Sequence, residues 1–324
     1  MRLLVTGGSG FIGSHLCERL IREGHDVTCL DNFNTYYDPN IKRKNVQPLL
    51  SHPCFRLIEG DILQYRLLKK IFKEGNFKVV IHLAARAGVR PSIQQPRLYQ
   101  KVNVEGTVNL FELSTQMEIS KFILASSSSV YGNNKKVPFS EEDPVDFPIS
   151  PYAATKKACE LLGYTYSSLY SLSITCLRFF TVYGPRQRPD MAIYKFTKNI
   201  IEGKAISLYG DGSSQRDYTY ITDIIDGVIK AIQQCEGYHI YNLGESQVVK
   251  LHRLIRLLEE IIGKEAKIKR LPDQPGDVPI TYADVSKAKH ELDYNPRVSV
   301  HQGLQEFVQW YREAGSSKNQ ENEL

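Results

Sequence analysis

The chain has 324 residues, 42% of them hydrophobic and 24% charged, which is long enough to bury a full core and longer than one average domain. Its net charge of +5 is spread out without a Lys- or Arg-rich block, which argues against a nucleic-acid partner and only weakly favours small anionic ligands. No apolar run approaches the roughly 18 residues of a membrane span, and Met1-Arg2-Leu3-Leu4-Val5-Thr6-Gly7 enters a strand and a glycine turn at once, so a cytoplasmic protein with no signal peptide and no membrane partner is expected.

Short β-branched runs at residues 3–6, 27–30, 55–58, 78–83, 122–125 and 174–179 alternate with helical stretches. That alternation predicts an α/β fold of the Rossmann type, a doubly wound parallel sheet. After the first strand come Gly7, Gly10 and Gly13, with a helix starting near Phe11-Ile12. Glycines are needed there because the turn takes unusual dihedrals, the backbone must approach a pyrophosphate, and the helix start offers free N–H groups. Gly8 also completes a Gly-x-Gly-x-x-Gly register, so the pattern leaves two variants open. Asp31 ends the second strand, where a carboxylate accepts from both ribose hydroxyls and repels a 2′-phosphate. NAD is therefore expected over NADP. Asn32 is its neighbour in that contact, Asp61-Ile62 is expected to edge the adenine, and Leu83-Ala84-Ala85 offers a small-residue strand end beside the pyrophosphate.

Further along, the apolar run 122–125 ends in Ser126, Ser127, Ser128 and Ser129, and Tyr152 with Lys156 four residues later opens an amphipathic helix over residues 152–170. Tyr-x-x-x-Lys also occurs at Tyr65/Lys69, Tyr131/Lys135 and Tyr194/Lys198, but only Tyr152 follows a strand that ends in hydroxyls, so strand end and helix start can face each other. Beyond residue 181 the spacing becomes irregular and richer in Pro, Gly and Arg. This predicts a smaller C-terminal substrate-binding lobe over residues 181–324, with part of 218–245 rejoining the NAD-binding domain of residues 1–180. Helices are expected over residues 221–234, 250–262 and 301–310, followed by a polar, frayed tail from 315 to 324. The six cysteines stand far apart, mostly in apolar segments, and are expected to be reduced thiols; no His-x-x-x-His pair suggests a metal centre.

With Thr6-Gly-Gly-Ser-Gly-Phe-Ile-Gly, Asp31-Asn32, Asp61-Ile62, His82-Leu-Ala-Ala, the serine run and Tyr152/Lys156 in that order, the chain resembles the extended short-chain dehydrogenase/reductase family of nucleotide-sugar enzymes. Within that family Asp31-Asn-Phe-Asn-Thr-Tyr-Tyr-Asp-Pro, Ala85-Arg-Ala-Gly-Val-Arg-Pro-Ser, Val182-Tyr-Gly-Pro-Arg-Gln-Arg-Pro-Asp-Met and Gln274-Pro-Gly-Asp are similar to segments of UDP-glucuronate 4-epimerases. Related 4,6-dehydratases carry Thr-Asp-Glu before Val-Tyr-Gly, and decarboxylases a glutamate; here Ser127, Ser128 and Ser129 precede Val130-Tyr131-Gly132. Another departure is that Asp273-Gln274 stands where some UDP-galactose 4-epimerases have an arginine before Pro-Gly-Asp.

The resemblance implies Tyr152 as the base, Lys156 as the charge that favours its phenolate and anchors the nicotinamide ribose, and Ser127 as the hydroxyl on the sugar O4. A free phenol ionises near pH 10, so a phenolate at neutral pH needs roughly 4 kcal/mol from neighbouring positive charge. Arg188 and Arg216 are expected on the diphosphate of a UDP-sugar, Asp277 on the uridine ribose, and Ser128, Ser129 and Thr181 on the sugar carboxylate. The resemblance further implies a homodimer packed through helices near 102–117 and 152–170. A 4-epimerase of neutral UDP-hexoses, a UDP-glucuronate decarboxylase and a catalytically silent NAD-binding sensor stay open as alternatives.

Overall fold

The computed structural model describes residues 1–272 and 278–321, with side chains described through residue 314. In chain order the strands are β1 (Arg2–Thr6), β2 (Asp26–Asp31), β3 (Phe55–Glu59), β4 (Val79–His82), β5 (Lys121–Ser127), β6 (Ser173–Phe179), β7 (Thr181–Tyr183), β8 (Ala205–Tyr209), β9 (Gln215–Tyr220), β10 (Tyr238–Leu243), β11 (Val248–Lys250) and β12 (Lys267–Leu271). The helices are α1 (Phe11–Arg22), α2 (Pro39–Val46), α3 (Tyr65–Gly75), α4 (Val89–Gln94), α5 (Pro96–Tyr99), α6 (Gly106–Gln116), α7 (Pro151–Tyr170), α8 (Ala192–Ile201), α9 (Ile221–Gln233), α10 (Leu251–Ile262), α11 (Ser286–Leu292) and α12 (Val300–Glu321).

Six strands read from the sequence appear within two residues of their expected bounds, and β10 joins them as a seventh. All seven run parallel in the order β10-β6-β5-β4-β1-β2-β3. Such a sheet is covered on both faces, which is why its strands read as continuous apolar runs. Leu3 and Val5 point into one buried cluster and Leu4 into another, with α1 and α9 contributing to the first and α3, α6 and α7 to the second. The chain leaves β1 toward β2 and β3, then returns to place β4 on the other side of β1. That reversal opens a crevice at the carboxyl ends of β1 and β4, where open α/β sheets bind ligands.

After β6 the chain builds a three-stranded sheet, β11-β9-β7, and a parallel pair, β12-β8. Helices α8, α10 and α12 bury Phe196, Ile200, Leu254, Leu258, Leu304 and Phe307 in the same continuous apolar cluster that begins at β1. The segment 315–321, expected to fray, continues α12 as helical backbone. No helix among the described residues is long and apolar enough to cross a membrane. All six cysteines are free thiols, five of them buried.

Candidate active site

The glycine turn is shaped by close approach. Gly7 has φ +69° and donates its N–H to Leu30 O at 2.7 Å; a Cβ there would lie 2.7 Å from Ala84 N. At Gly13 a Cβ would fall 2.2 Å from Gly7 O and 2.6 Å from Gly8 Cα, so helix α1 can lie on the turn only without a side chain. Gly8 is pressed against the Cys29 sulfur. Gly10 differs, because its Cβ would meet only Gly7 O, at 3.2 Å. It is the cap of α1 with no side-chain cap hydrogen bond and no acid in the first turn, leaving N–H groups and the positive helix end for an anion.

Around this turn lies a cavity of about 490 Å³, lined by Gly7, Gly10, Phe11, Ile12, Gly13, Asp31, Asn32, Ile62, Leu83, Ala84 and Ala85, and at its other end by Ser127, Ser129, Tyr152 and Lys156. The Asp31 carboxylate is held by the N–H groups of Ser9 and Phe33 at 3.2 and 2.9 Å and faces the Lys42 ammonium at 3.7 Å. Asn32 also lines the cavity and donates to Asp61, which does not reach it. Four cations, Lys42, Arg86, Lys156 and Arg188, face two carboxylates, Asp31 and Asp190, so the walls favour an anion. Arg86 Nε is buried without a hydrogen-bond partner among the described residues. A crowded glycine turn with one less crowded position, a carboxylate at the end of β2 and an excess of positive charge together fit a dinucleotide.

Ser150 caps α7 by accepting from Ala153 N at 3.1 Å, and Pro151 follows, which sets Tyr152 in the first turn. One turn on, the buried Lys156 ammonium donates to Ala125 O at 2.7 Å, joining helix and strand β5. The Tyr152 ring packs edge-on against Tyr99, whose hydroxyl donates to Ala87 O at 2.6 Å. Ser127 accepts from Ser129 N at 3.2 Å and starts the 3-10 turn that carries the serine run. Beneath, His82 contacts Thr6 and Thr107; burial and the Lys156 charge pull its pKa down to about 3, so it is neutral.

A second cavity, about 1150 Å³, is lined by Thr181, Arg216, Arg90, Lys195, Tyr209 and residues of α8. The two cavities share Tyr36, Gly88, Val89, Asp190 and Met191 as walls, so they form one cleft. Arg188 lines the first cavity beside two of the shared walls, forked onto Asp190 at 2.9 and 2.7 Å and over the Tyr36 ring at 5.3 Å. Its loop is fastened to α1: His15 Nε2 donates to Pro185 O at 2.9 Å, and Arg186 pairs with Glu18 at 2.6 Å. Burial, aided by Arg186, lowers the His15 pKa to about 4. Ser128 lines neither cavity, and Asp277 lies outside the described residues.

The GDP-mannose 4,6 dehydratase family model matches residues 4–307. The chain belongs to this family of NAD-dependent nucleotide-sugar epimerases and dehydratases. It is 45% identical to the UDP-glucuronate 4-epimerase of Thermodesulfobacterium geofontis over 96% of both chains. It is 46% identical to UDP-glucuronate 4-epimerase 5 of Arabidopsis thaliana over 96% of this chain and 75% of that one. The crystal structure of UDP-glucuronic acid 4-epimerase from Bacillus cereus, in complex with UDP-glucuronic acid and NAD, superposes with a TM-score of 0.92 at 37% identity, covering 97% of this chain and 100% of that one.

Sequence reading missed several wall residues of this epimerase/dehydratase cleft. Tyr36, Arg86 and Arg90 sit inside segments that carried the resemblance, so their motifs were a usable signal, whereas Lys42 in α2 and Tyr209 in β8 had none. Asn103, which lines neither cavity but holds the Arg86 backbone, had none either. It lies in a π-helical stretch, Gln100–Glu105, and its amide accepts from Arg86 N at 2.8 Å while donating to Arg86 O and Thr155 Oγ1. Of the other Tyr-x-x-x-Lys pairs, Tyr131 is bonded to Asn242, Tyr194 packs on Phe307 and Trp310, and Tyr65 reaches Gln116.

Proposed function

We infer that this protein is an NAD-dependent 4-epimerase interconverting UDP-glucuronate and UDP-galacturonate. The carrying observation is that Tyr152, Lys156 and Ser127 line the same cavity as the glycine turn, which opens into a second, basic cavity. Whole-length likeness to UDP-glucuronate 4-epimerases supports the substrate.

In this reading residues 1–180, with β10, hold the dinucleotide, and residues 181–324 mainly hold the nucleotide sugar. Gly10 and the start of α1 take the pyrophosphate, and Asp31 takes the adenine ribose, helped by Asn32. Phe11, Ile12, Ile62, Leu83, Ala84 and Ala85 form the apolar and backbone walls. Bound NAD supplies a reversible hydride acceptor for C4 of the sugar. Tyr152 removes the O4 proton and later returns it; Lys156 favours its anion, and Ser127 holds O4. Inversion needs the 4-keto sugar to turn over while the nucleotide stays fixed, so binding energy belongs on UDP, with Arg188 and Arg216 on the diphosphate. The keto group makes the uronate a β-keto acid, prone to lose carbon dioxide when the C5–carboxyl bond aligns with the carbonyl π system. In this reading Ser129 and Thr181, which line the two cavities, hold the carboxylate out of that alignment. Ser128 is set aside because it lies off the cleft wall.

The association proposed is a homodimer through α7, which leaves Leu161, Tyr164, Leu169 and Tyr170 exposed on its outer side. A monomer in analytical ultracentrifugation would remove that part. The function itself is tested by incubating the purified protein with UDP-glucuronate and separating the products chromatographically. UDP-galacturonate is the expected product. A UDP-pentose as sole product, or turnover confined to neutral UDP-hexoses, would overturn the reading.

A further inference from the structure

Behind the cleft, three neighbouring strands place polar residues in one row: Ser126 of β5 pairs in register with Arg178 of β6, and Arg178 with Asn242 of β10. Glu160, one turn beyond Lys156 on α7, meets this row. Ser126 Oγ donates to Glu160 Oε1 at 2.6 Å, and the Arg178 fork donates to both Glu160 oxygens at 2.9 Å. Arg178 Nη1 donates to the Tyr131 hydroxyl at 3.0 Å, which donates to Asn242 Oδ1 at 2.7 Å; the Tyr131 ring also lies under the guanidinium at 4.9 Å. Burial works against the Arg178 charge, but Glu160 outweighs it and holds the guanidinium protonated.

Arg178 is 1% exposed and Glu160 0%, so both charges are fully desolvated. A pair of this kind is poor value as a stabiliser, because apolar residues of similar volume often fold as well or better. Its contacts indicate another use. Ser126 stands between Ala125, whose carbonyl receives Lys156, and Ser127, whose hydroxyl lines the cleft. Tyr131 closes the turn that begins at Ser127 and contains Ser129. The row therefore grips the serine turn at both ends and fastens it to the helix carrying Tyr152 and Lys156.

We propose that Glu160, Arg178 and Tyr131 are positioning residues: a buried polar staple that keeps the serine turn in register with Tyr152 and Lys156 during turnover. This deepens the epimerase reading and rests on it. The test is the double variant Glu160→Met/Arg178→Met, which removes both charges together. The expected result is a melting temperature within about 4 °C of the parent, retained NAD and a KM for UDP-glucuronate within about threefold. Against that background kcat falls about ten- to a hundredfold, as misplacement of reacting groups does, and the UDP-pentose share rises. A folded, NAD-loaded double variant with parental kcat and product ratio overturns the proposal. If the double variant does not fold, Tyr131→Phe decides, since it removes one hydroxyl: a kcat loss of about threefold or more at unchanged KM is expected, and parental kcat overturns the proposal. The parent is assayed alongside. Failure of the parent to form UDP-galacturonate sinks the epimerase reading alone, and the variants are then compared on whichever UDP-sugar it converts.

Discussion

Tyr152 and Lys156 are one turn apart on α7, and the lysine's hydrogen bond to Ala125 O brings that turn against the serine end of β5. In the proposed mechanism, replacing Tyr152 by Phe removes the proton acceptor and little else, since its hydroxyl is not needed for the edge-on packing against Tyr99. A fall in kcat of about 10²–10⁴-fold is expected with NAD content unchanged; substantial residual epimerisation in steady-state assays would defeat the assignment. Thr181 opens β7 and lines the second cavity. If Thr181 clamps the sugar carboxylate as proposed, Thr181→Val removes one hydrogen bond of ~1 kcal/mol, and the ratio of UDP-pentose to epimer should rise about fivefold. An unchanged ratio removes Thr181 from the clamp. At this scale the pair Tyr152/Lys156 was legible because helical spacing and the hydroxyl-ended strand are both local signals. Lys42 and Asn103 were not, because nothing near either in sequence indicates that it faces Asp31 or Arg86.

Among elements, the junction of β1 and α1 shows why similar glycines are not equivalent. At Gly10, which lines the cavity, an Ala methyl would meet only one atom, the Gly7 oxygen at 3.2 Å. That variant should fold normally and lose NAD, read as absorbance of the cofactor released on denaturation together with an unshifted melting curve of the NAD-free protein. Gly13→Ala places a methyl 2.2 Å from a backbone oxygen, so its melting temperature should fall with the cofactor content. Equal stability of the two variants would contradict this account of the turn. The strands of the sheet were readable because a parallel strand buried on both faces must be apolar throughout. β10 contributed less signal, with its polar pair His239 and Asn242.

Over the molecule as a whole, the C-terminal lobe packs on the sheet through a seam that contains buried carboxylates. Asp217 accepts from the N–H groups of Glu245, Ser246 and Ala283, and burial raises its pKa to about 6. Glu245 is raised further, to about 8, by burial and by Asp223 and Asp217, with Lys289 opposing; its Oε2 is buried without a partner among the described residues. Between the unfolded value near 4.3 and about 8 the folded state binds the proton that the unfolded chain has lost. Stability from Glu245 is therefore complete below the unfolded pKa and declines as pH rises toward 8, by at most ~1.4 kcal/mol per pH unit for one proton. Glu245→Gln should flatten that part of the profile, seen as a smaller drop in melting temperature between pH 6 and pH 9 than in the parent. A parallel profile would exclude Glu245 as its source.

The sequence by itself determined the period of the sheet, the glycine turn, the carboxylate after β2, and the serine, tyrosine and lysine that line the same cavity. Each of these is set by contacts within a few residues or by the burial of an entire strand. Only the tertiary structure decided which partners complete the site. The carboxyl ends of β1, β4 and β5, α7 and the loop at Arg188 meet across a cleft because the strand order reverses at β1. Long-range pairs such as Glu160 with Arg178, His15 with Pro185 and Asn103 with Arg86 leave no periodic trace in the chain, since their energy comes from burial together rather than from spacing.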